Sequence, residues 1–333
     1  MIKVAINGFG RIGRLVFRIM EEDPEFNVVA INDLTDPEQL AYLLKYDTSH
    51  RKYLENDIKY DEDSIIVKGR KIKIYKEMNP ENLPWKDLEI DAVYECTGKF
   101  TEKEKAEAHI KAGAKKVIIS APAKGDLKTI VYGVNENIID GQEKVISAAS
   151  CTTNCLAPVV DILNKEFGIK KGYMTTVHAY TNDQSILDLA HPKGAKSRRG
   201  RAAAANIIPA STGAASALGK VIPELDGKLD GSALRVPVTT GSVVDLTLEL
   251  NEKVTIEEIN EAFKKHANET IGYTEDPIVS SDIIGDTHGG VVDGLLTDVL
   301  NTENGDLVKV VAWYDNEMSY SSQMVRTVKY LCK

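Results

Sequence analysis

Hydrophobic and polar residues along the first 150 positions switch repeatedly between a strand period and a helix period. Ile2 to Ile6 is a short apolar run with β-branched members, and Arg11 to Met20 carries Leu15, Val16 and Ile19 near one helical face. Asn27 to Ile31 predicts a second strand. Asp36-Pro37 then supplies a cap and a first-turn proline for a helix over Pro37 to Tyr46. Ser64 to Val67 and Lys71 to Ile74 flank Gly69 and predict a hairpin. Further strands are predicted at Ile90 to Glu95, Lys116 to Ile119, Ile130 to Tyr132 and Val145 to Ser147, with a helix over Thr101 to Ala112. This alternation predicts an open, mainly parallel sheet covered by helices.

The texture changes after Ser150. A helix is predicted from about Thr153 to Phe167. Longer strands follow at Tyr173 to Ala179, Ala233 to Pro237, Ser242 to Leu250 and Val308 to Trp313, a pattern that suits an antiparallel sheet with helices on one face. His191 to Arg201 is polar, basic and glycine-containing, and reads as a long ordered loop. The last segment, Glu317 to Leu331, is helical. Two domains are expected, 1–150 and 151–316, with helix 317–333 packing back on the first.

Composition narrows the function classes. The 333 residues are 43% hydrophobic and 27% charged, enough for a well-packed core in a soluble protein. Asp and Glu number 50 against 41 Lys and Arg, a net charge of −9. Such a chain has no general attraction for nucleic-acid backbones or anionic membranes, so any phosphate must be held at a local site. Cys96, Cys151, Cys155 and Cys332 are too few for a disulfide framework and read as reduced thiols of a cytoplasmic protein. No apolar run approaches the roughly 20 residues of a membrane span, and the first residues read as a strand entering a glycine turn, not a signal peptide.

Gly8-Phe9-Gly10-Arg11-Ile12-Gly13 matches G-x-G-x-x-G between a predicted strand and a predicted helix. The first glycine makes the tight turn, the second lets main chain approach a pyrophosphate, and the third allows close helix–strand packing. The helix N-terminus adds positive potential. Asp33, twenty residues past Gly13, can accept from a ribose diol and repel a 2′-phosphate. The cofactor implied is NAD. The fold class is therefore α/β: a Rossmann-type, mainly parallel sheet domain, followed by an α+β domain with an antiparallel sheet.

Ser150-Cys151-Thr152-Thr153-Asn154-Cys155 stands where the textures meet. A thiolate is a strong nucleophile, and the start of a helix lowers a cysteine's pKa. Cys151 therefore reads as catalytic, and Cys155, one helical turn later, as a core thiol. The spacing lacks the second ligand pair of a zinc site, and no metal is expected. Within Thr176 to Asp183, His178 ends a strand, where a histidine can take the proton of a cysteine on another element. Thr181, Arg199, Ser211-Thr212-Gly213 and Arg235 offer hydroxyls, glycine-flanked amides and guanidinium forks that suit phosphate oxygens.

Together with Asn206-Ile207-Ile208-Pro209, Thr212-Gly213-Ala214-Ala215 and Trp313-Tyr314-Asp315-Asn316-Glu317, these motifs make the chain resemble the phosphorylating glyceraldehyde-3-phosphate dehydrogenases along essentially its whole length. The resemblance implies oxidation of glyceraldehyde 3-phosphate with NAD and inorganic phosphate, through a thioester on Cys151 with His178 as its base. It implies phosphate contacts from Ser150, Thr152, Thr181, Arg199, Thr212, Gly213 and Arg235. It implies NAD contacts from Arg11, Ile12, Asp33, Met78, Ser120, Asn182 and Asn316, with only main chain contributing at Met78, where many relatives carry arginine. It also implies a cytoplasmic homotetramer of central carbon metabolism that needs neither nucleic acid nor membrane. The alternatives are an erythrose-4-phosphate dehydrogenase, which would hydrolyse its thioester without phosphate, and a non-catalytic RNA-binding role of the NAD groove.

Overall fold

Short β-branched runs alternating with amphipathic helices build the first half of the chain. In this computed structural model, residues 1–302 and 305–333 are described. The elements are β1 (Ile2–Asn7), α1 (Arg11–Glu21), β2 (Phe26–Asn32), α2 (Pro37–Lys45), β3 (Ile58–Tyr60), β4 (Ser64–Val67), β5 (Arg70–Tyr75), β6 (Ala92–Glu95), α3 (Lys103–Lys111), β7 (Lys116–Ile119) and β8 (Val145–Ser147). Among the described residues they form a sheet in the order β3-β4-β5-β2-β1-β6-β7-β8. The run from β5 to β8 is parallel, and β3, β4 and β5 pair antiparallel at one edge. The central strands are buried on both faces; Val4, Ala5, Ile6, Val93 and Ile118 are all fully covered.

The expected strand at Ile130 to Tyr132 does not form; its neighbour Thr129 makes only an isolated bridge to Ser147. The Asn135 side chain is the reason. Its Oδ1 accepts from Val131 N at 2.8 Å and its Nδ2 donates to Thr129 O at 2.9 Å, taking the hydrogen bonds a partner strand would have made.

The second set is α4 (Cys151–Phe167), β9 (Ile169–Ala179), β10 (Ile208–Ser211), α5 (Ala214–Val221), β11 (Leu229–Val236), β12 (Ser242–Leu250), α6 (Ile256–His266), β13 (Ile271–Thr274), β14 (Gly290–Asp293), β15 (Asp298–Leu300), β16 (Leu307–Tyr314) and α7 (Met318–Leu331). The sheet runs β10-β11-β9-β12-β16-β14-β13, with β15 also on β16. It is mostly antiparallel, but β9 pairs parallel with β11, and β13 with β14. The long connection from β9 through β10 and α5 acts as the crossover that a parallel pair needs. Helix α4 begins at Cys151, two residues before the expected start.

By density of contacts the chain divides into two compact units, 1–150 with 321–333, and 151–320. Within the first, the last helix is tied by Gln323 Nε2 to Tyr132 O at 2.9 Å and by Lys329 to Asp23 and Glu25. Among the described residues, no helix is long and apolar enough to cross a membrane.

Candidate active site

The second unit carries the reactive side chains. Cys151 is the first residue of α4, and His178 is the penultimate residue of β9. Sγ of Cys151 lies 3.3 Å from Nε2 of His178. On the other side of the ring, Nδ1 is 2.6 Å from the carbonyl oxygen of Ala179. A carbonyl can only accept, so the proton is on Nδ1 and Nε2 presents a lone pair to the thiol. The arrangement is the one nucleophilic catalysis by a thiol would need, with the imidazole already in the tautomer that can accept its proton.

Strand pairing brings the supporting groups to the same level of the sheet. Arg235 on β11 pairs with His178 on β9, and Ser242 on β12 pairs with Tyr314 on β16. The Ser242 hydroxyl accepts from Ala179 N at 3.0 Å. The hydroxyl of Tyr314 joins Thr152 Oγ1 at 2.9 Å to Thr176 Oγ1 at 2.8 Å, and its ring meets the His178 ring edge-on at 5.9 Å between centroids. The first turn of α4 is therefore fastened to the strand that carries the base.

Burial dominates the electrostatics of both partners. It pushes the Cys151 thiol up, against the Arg235 guanidinium, the Thr152 hydroxyl and the N–H groups of Cys151 and Thr152, which pull it down. It pushes His178 down to about 3, with the Arg235 charge adding to the effect. Arg235 itself is lowered by burial. Cys155, also raised by burial, is fully enclosed and packs beside Gly290, where a Cβ would sit 2.7 Å from its sulfur.

The candidate anion contacts converge in part. Arg235 Nη1 donates to Ala179 O and Thr181 Oγ1, each at 3.0 Å, while its buried Nε–H has no partner among the described residues. An unmatched guanidinium N–H in a buried setting calls for an acceptor, and a phosphate oxygen suits it. Thr181 Oγ1 donates to Asp183 at 2.6 Å, and Asp183 pairs with Arg199. Arg199 also reaches Ser211 O at 3.4 Å, next to Thr212. Thr212 Oγ1 accepts from Ala214 N at 3.2 Å and Gly213 caps α5, so both are held at the start of a helix. The Thr152 hydroxyl is buried, 2.9 Å from the Tyr314 hydroxyl. Asp183, which orients both Arg199 and Thr181, and Tyr314 lie inside the sequence motifs, but nothing in the sequence singles them out.

The first unit carries the glycine turn. Gly8 has φ +90°, and a Cβ there would fall 2.8 Å from Thr97 N. A Cβ at Gly13 would strike Gly8 O, whereas at Gly10 it would meet nothing within 4 Å. The turn is tight where the glycines pack and open where a pyrophosphate would approach. Gly10 caps α1 without a side chain, which leaves the first-turn N–H groups around Arg11 and Ile12 directed outward. The Arg11 side chain is held by Asp47. Asp33 accepts from Phe9 N at 2.7 Å and Thr35 N at 2.9 Å, which fixes its carboxylate beside the turn. Ser120, just past β7, donates its N–H to Glu95 O at 3.0 Å. Met78 is 76% exposed.

Two cofactor candidates lie in the second unit. Asn182 is exposed in the loop after β9. Asn316 is buried, and its Oδ1 accepts from Gly241 N at 3.2 Å and Ser242 Oγ at 2.9 Å, which fixes the orientation of its amide. Among the described residues, no group of three or more His, Cys, Asp or Glu is placed to hold a metal ion.

A glycine turn of the dinucleotide-binding kind in the first unit, and a thiol–imidazole pair in the second, are features expected of an NAD-linked oxidoreductase. Residues 2–103 match the family model for the NAD binding domain of glyceraldehyde 3-phosphate dehydrogenase, and residues 150–316 match that for its C-terminal domain. The glyceraldehyde-3-phosphate dehydrogenases of Clostridium pasteurianum and Clostridium acetobutylicum are 60% and 59% identical to it, and that of Streptococcus pyogenes 54%, each over 100% of this chain and 99% of the relative. The chain belongs to the glyceraldehyde-3-phosphate dehydrogenase family.

Proposed function

We propose that this chain catalyses the phosphorylating oxidation of glyceraldehyde 3-phosphate to 1,3-bisphosphoglycerate with NAD. The observation that carries the reading is the 3.3 Å approach of Cys151 Sγ to the unprotonated Nε2 of His178. Nε2 takes the thiol proton as sulfur adds to the aldehyde carbon. The protonated ring then donates to the oxygen of the thiohemiacetal and recovers the proton as the C–H bond breaks. The nicotinamide, when bound, accepts the hydride. The thioester left on Cys151 is attacked by an oxygen of inorganic phosphate, the C–S bond breaks, and the sulfur regains a proton. The covalent intermediate divides one difficult step into two.

Gly8, Gly10, Gly13, the start of α1 at Arg11 and Ile12, Asp33, main chain at Met78, Ser120, Asn182 and Asn316 would hold the cofactor. Ser150, Thr152, Thr181, Arg199, Thr212, Gly213 and Arg235 would hold the substrate's phosphate and the attacking phosphate. On this reading 1–150 with the last helix is the NAD-binding domain, and 151–316 the catalytic one. The free state of all four cysteines suits a reducing, cytoplasmic setting. Exposed Ile186, Leu187 and Leu189 support self-association, read here as a homotetramer.

The test is NADH formation from glyceraldehyde 3-phosphate with and without inorganic phosphate, in wild type and Cys151→Ser. Turnover that needs phosphate and is lost in the variant, with NAD binding retained, is expected. Phosphate-independent turnover on erythrose 4-phosphate would replace this reading with the hydrolytic alternative.

A further inference from the structure

Three neighbouring strands of the first sheet end on a buried polar side chain at one level: Asn32 on β2, Asn7 on β1 and Glu95 on β6. Asn7 is register-paired with both of the others. Asn32 Nδ2 donates to Asn7 Oδ1 at 2.7 Å, and Asn7 Nδ2 donates to Glu95 Oε2 at 2.5 Å. At one end, Asn32 exchanges hydrogen bonds with the main chain of Glu77, at 2.8 and 2.9 Å. At the other, Glu95 Oε1 accepts from Thr97 N at 2.8 Å and from the Thr97 hydroxyl. All three ladder side chains are at most 5% exposed.

The remaining partner fixes the ladder's polarity. Trp85 Nε1, which can only donate, lies 3.0 Å from His109 Nδ1. His109 must therefore carry its proton on Nε2 and donate it to Glu95 Oε2, 3.1 Å away. The 3.3 Å separation of Asn7 Nδ2 and His109 Nε2 is that of two donors aimed at one oxygen. Glu95 thus accepts from four donors, two on each oxygen. An amide would turn an NH₂ group toward two other donors.

Each rung touches a segment expected to face the dinucleotide. Glu77 precedes Met78, Asn32 precedes Asp33, Asn7 precedes Gly8, and Thr97 lies against Gly8, close enough that a Cβ on the glycine would meet its nitrogen. In open sheets of this kind the ligand lies just beyond the carboxyl ends of the strands. We propose that the Glu95–Asn7–Asn32 ladder, oriented by His109 and Trp85, is a positioning device for the dinucleotide. It holds four strand-end segments at one spacing, and it rests on the cofactor reading given above. None of its side chains needs to touch the cofactor.

The experiment is steady-state kinetics and direct NAD titration on Glu95→Gln, Asn7→Asp, the double variant and Trp85→Phe. Leaving buried donors unmatched in Glu95→Gln should raise both KM and Kd for NAD about tenfold or more, with kcat changed less than about threefold. Asn7→Asp alone, which sets two carboxylates side by side, should do the same. In the double variant the new carboxylate on β1 can accept from Asn32, from His109 and from the new amide nitrogen on β6. The carbonyl of that amide still accepts from Thr97. KM for NAD should then return to within about threefold of wild type. Trp85→Phe, remote from the cleft and close in shape, should raise KM about threefold, and it keeps the test open if Glu95→Gln does not fold. An unmoved KM in the single variants, a parallel loss of kcat, or no rescue in the double variant would overturn the ladder's role alone. A wild-type protein that does not bind NAD would overturn the cofactor reading and the ladder with it.

Discussion

The Nδ1–H of His178 is held by the Ala179 carbonyl, and this leaves Nε2 to accept the Cys151 proton. Removing the ring should therefore change when the thiol reacts. In His178→Asn the sulfur keeps the buried position that raises its pKa, but loses the acceptor for its proton. A thiolate exists above its pKa, so a raised pKa moves the reactive range toward alkaline pH. Alkylation by iodoacetamide at neutral pH should slow by about 10²-fold or more and recover as pH rises. An unchanged neutral rate would make His178 structural. Asp33 is expected to govern a second choice. Its carboxylate is anchored by two main-chain N–H groups and cannot turn away from a 2′-phosphate. Losing one charged hydrogen bond costs about 1.5–3 kcal/mol, roughly ten- to a hundredfold in affinity, so NAD should be preferred over NADP. Asp33→Ala should weaken NAD and improve NADP together; a variant with an unchanged ratio of kcat/KM for the two would remove Asp33 from this role. Cys151 and Asp33 stood out as candidates by residue type and setting, and His178 only because Cys151 offered it a partner. Asp183, Tyr314 and Glu95 did not stand out, because each acts through partners that only folding supplies. Asp183 stands 16 residues before Arg199, and the folded loop is what aims the two at one place. Tyr314 meets Thr152 across 162 residues of chain, and Glu95 meets Asn7 across 88.

At the scale of elements, the turn into α1 separates two uses of glycine that a sequence motif treats as equals. Gly13 packs against the main chain of Gly8, and Gly10 faces open space. Gly13→Ala should destabilise the protein by about 1–3 kcal/mol, the usual cost of overpacking. Gly10→Ala should leave Tm nearly unchanged and raise KM for NAD, because its methyl stands where the pyrophosphate approaches. Thermal denaturation and cofactor kinetics on the two variants check this, and equal losses of Tm would refute it. The alternation of strands and helices in the first unit was readable because each element obeys its local period. Two features were not. Ile130 to Tyr132 has the composition of a strand, but the Asn135 side chain captures its main chain first. The parallel pairing of β9 with β11 depends on the path of a long connection, which no local pattern encodes.

For the molecule as a whole, the loop between β9 and β10 presents the clearest apolar surface. Ile186, Leu187 and Leu189 are 87%, 76% and 72% exposed. The loop is not merely loose chain, because Leu189 N bonds to Gly200 O at 2.8 Å and Ser185 N to Arg199 O at 3.1 Å. A structured loop that holds three large aliphatic side chains in water is stabilised when another surface covers them, at about 25 cal/mol per Å² buried. Its shape is also tied to the candidate anion site, since Arg199 bonds both to Ser185 and to Asp183. Covering the loop should thus steady Arg199 as well as join chains. We expect sedimentation equilibrium to give a tetramer of the 36.6 kDa chain, with a Tm that rises with protein concentration. Leu187→Glu places a charge in the covered surface and should yield smaller species with a lower Tm than wild type at equal concentration. Because the loop would lose its support, KM for the phosphorylated aldehyde should rise in the same variant, while the neutral-pH alkylation rate of Cys151 should hold. A wild-type monomer at micromolar concentration, or a Leu187→Glu protein that remains tetrameric, would show that this surface is not where the chains meet.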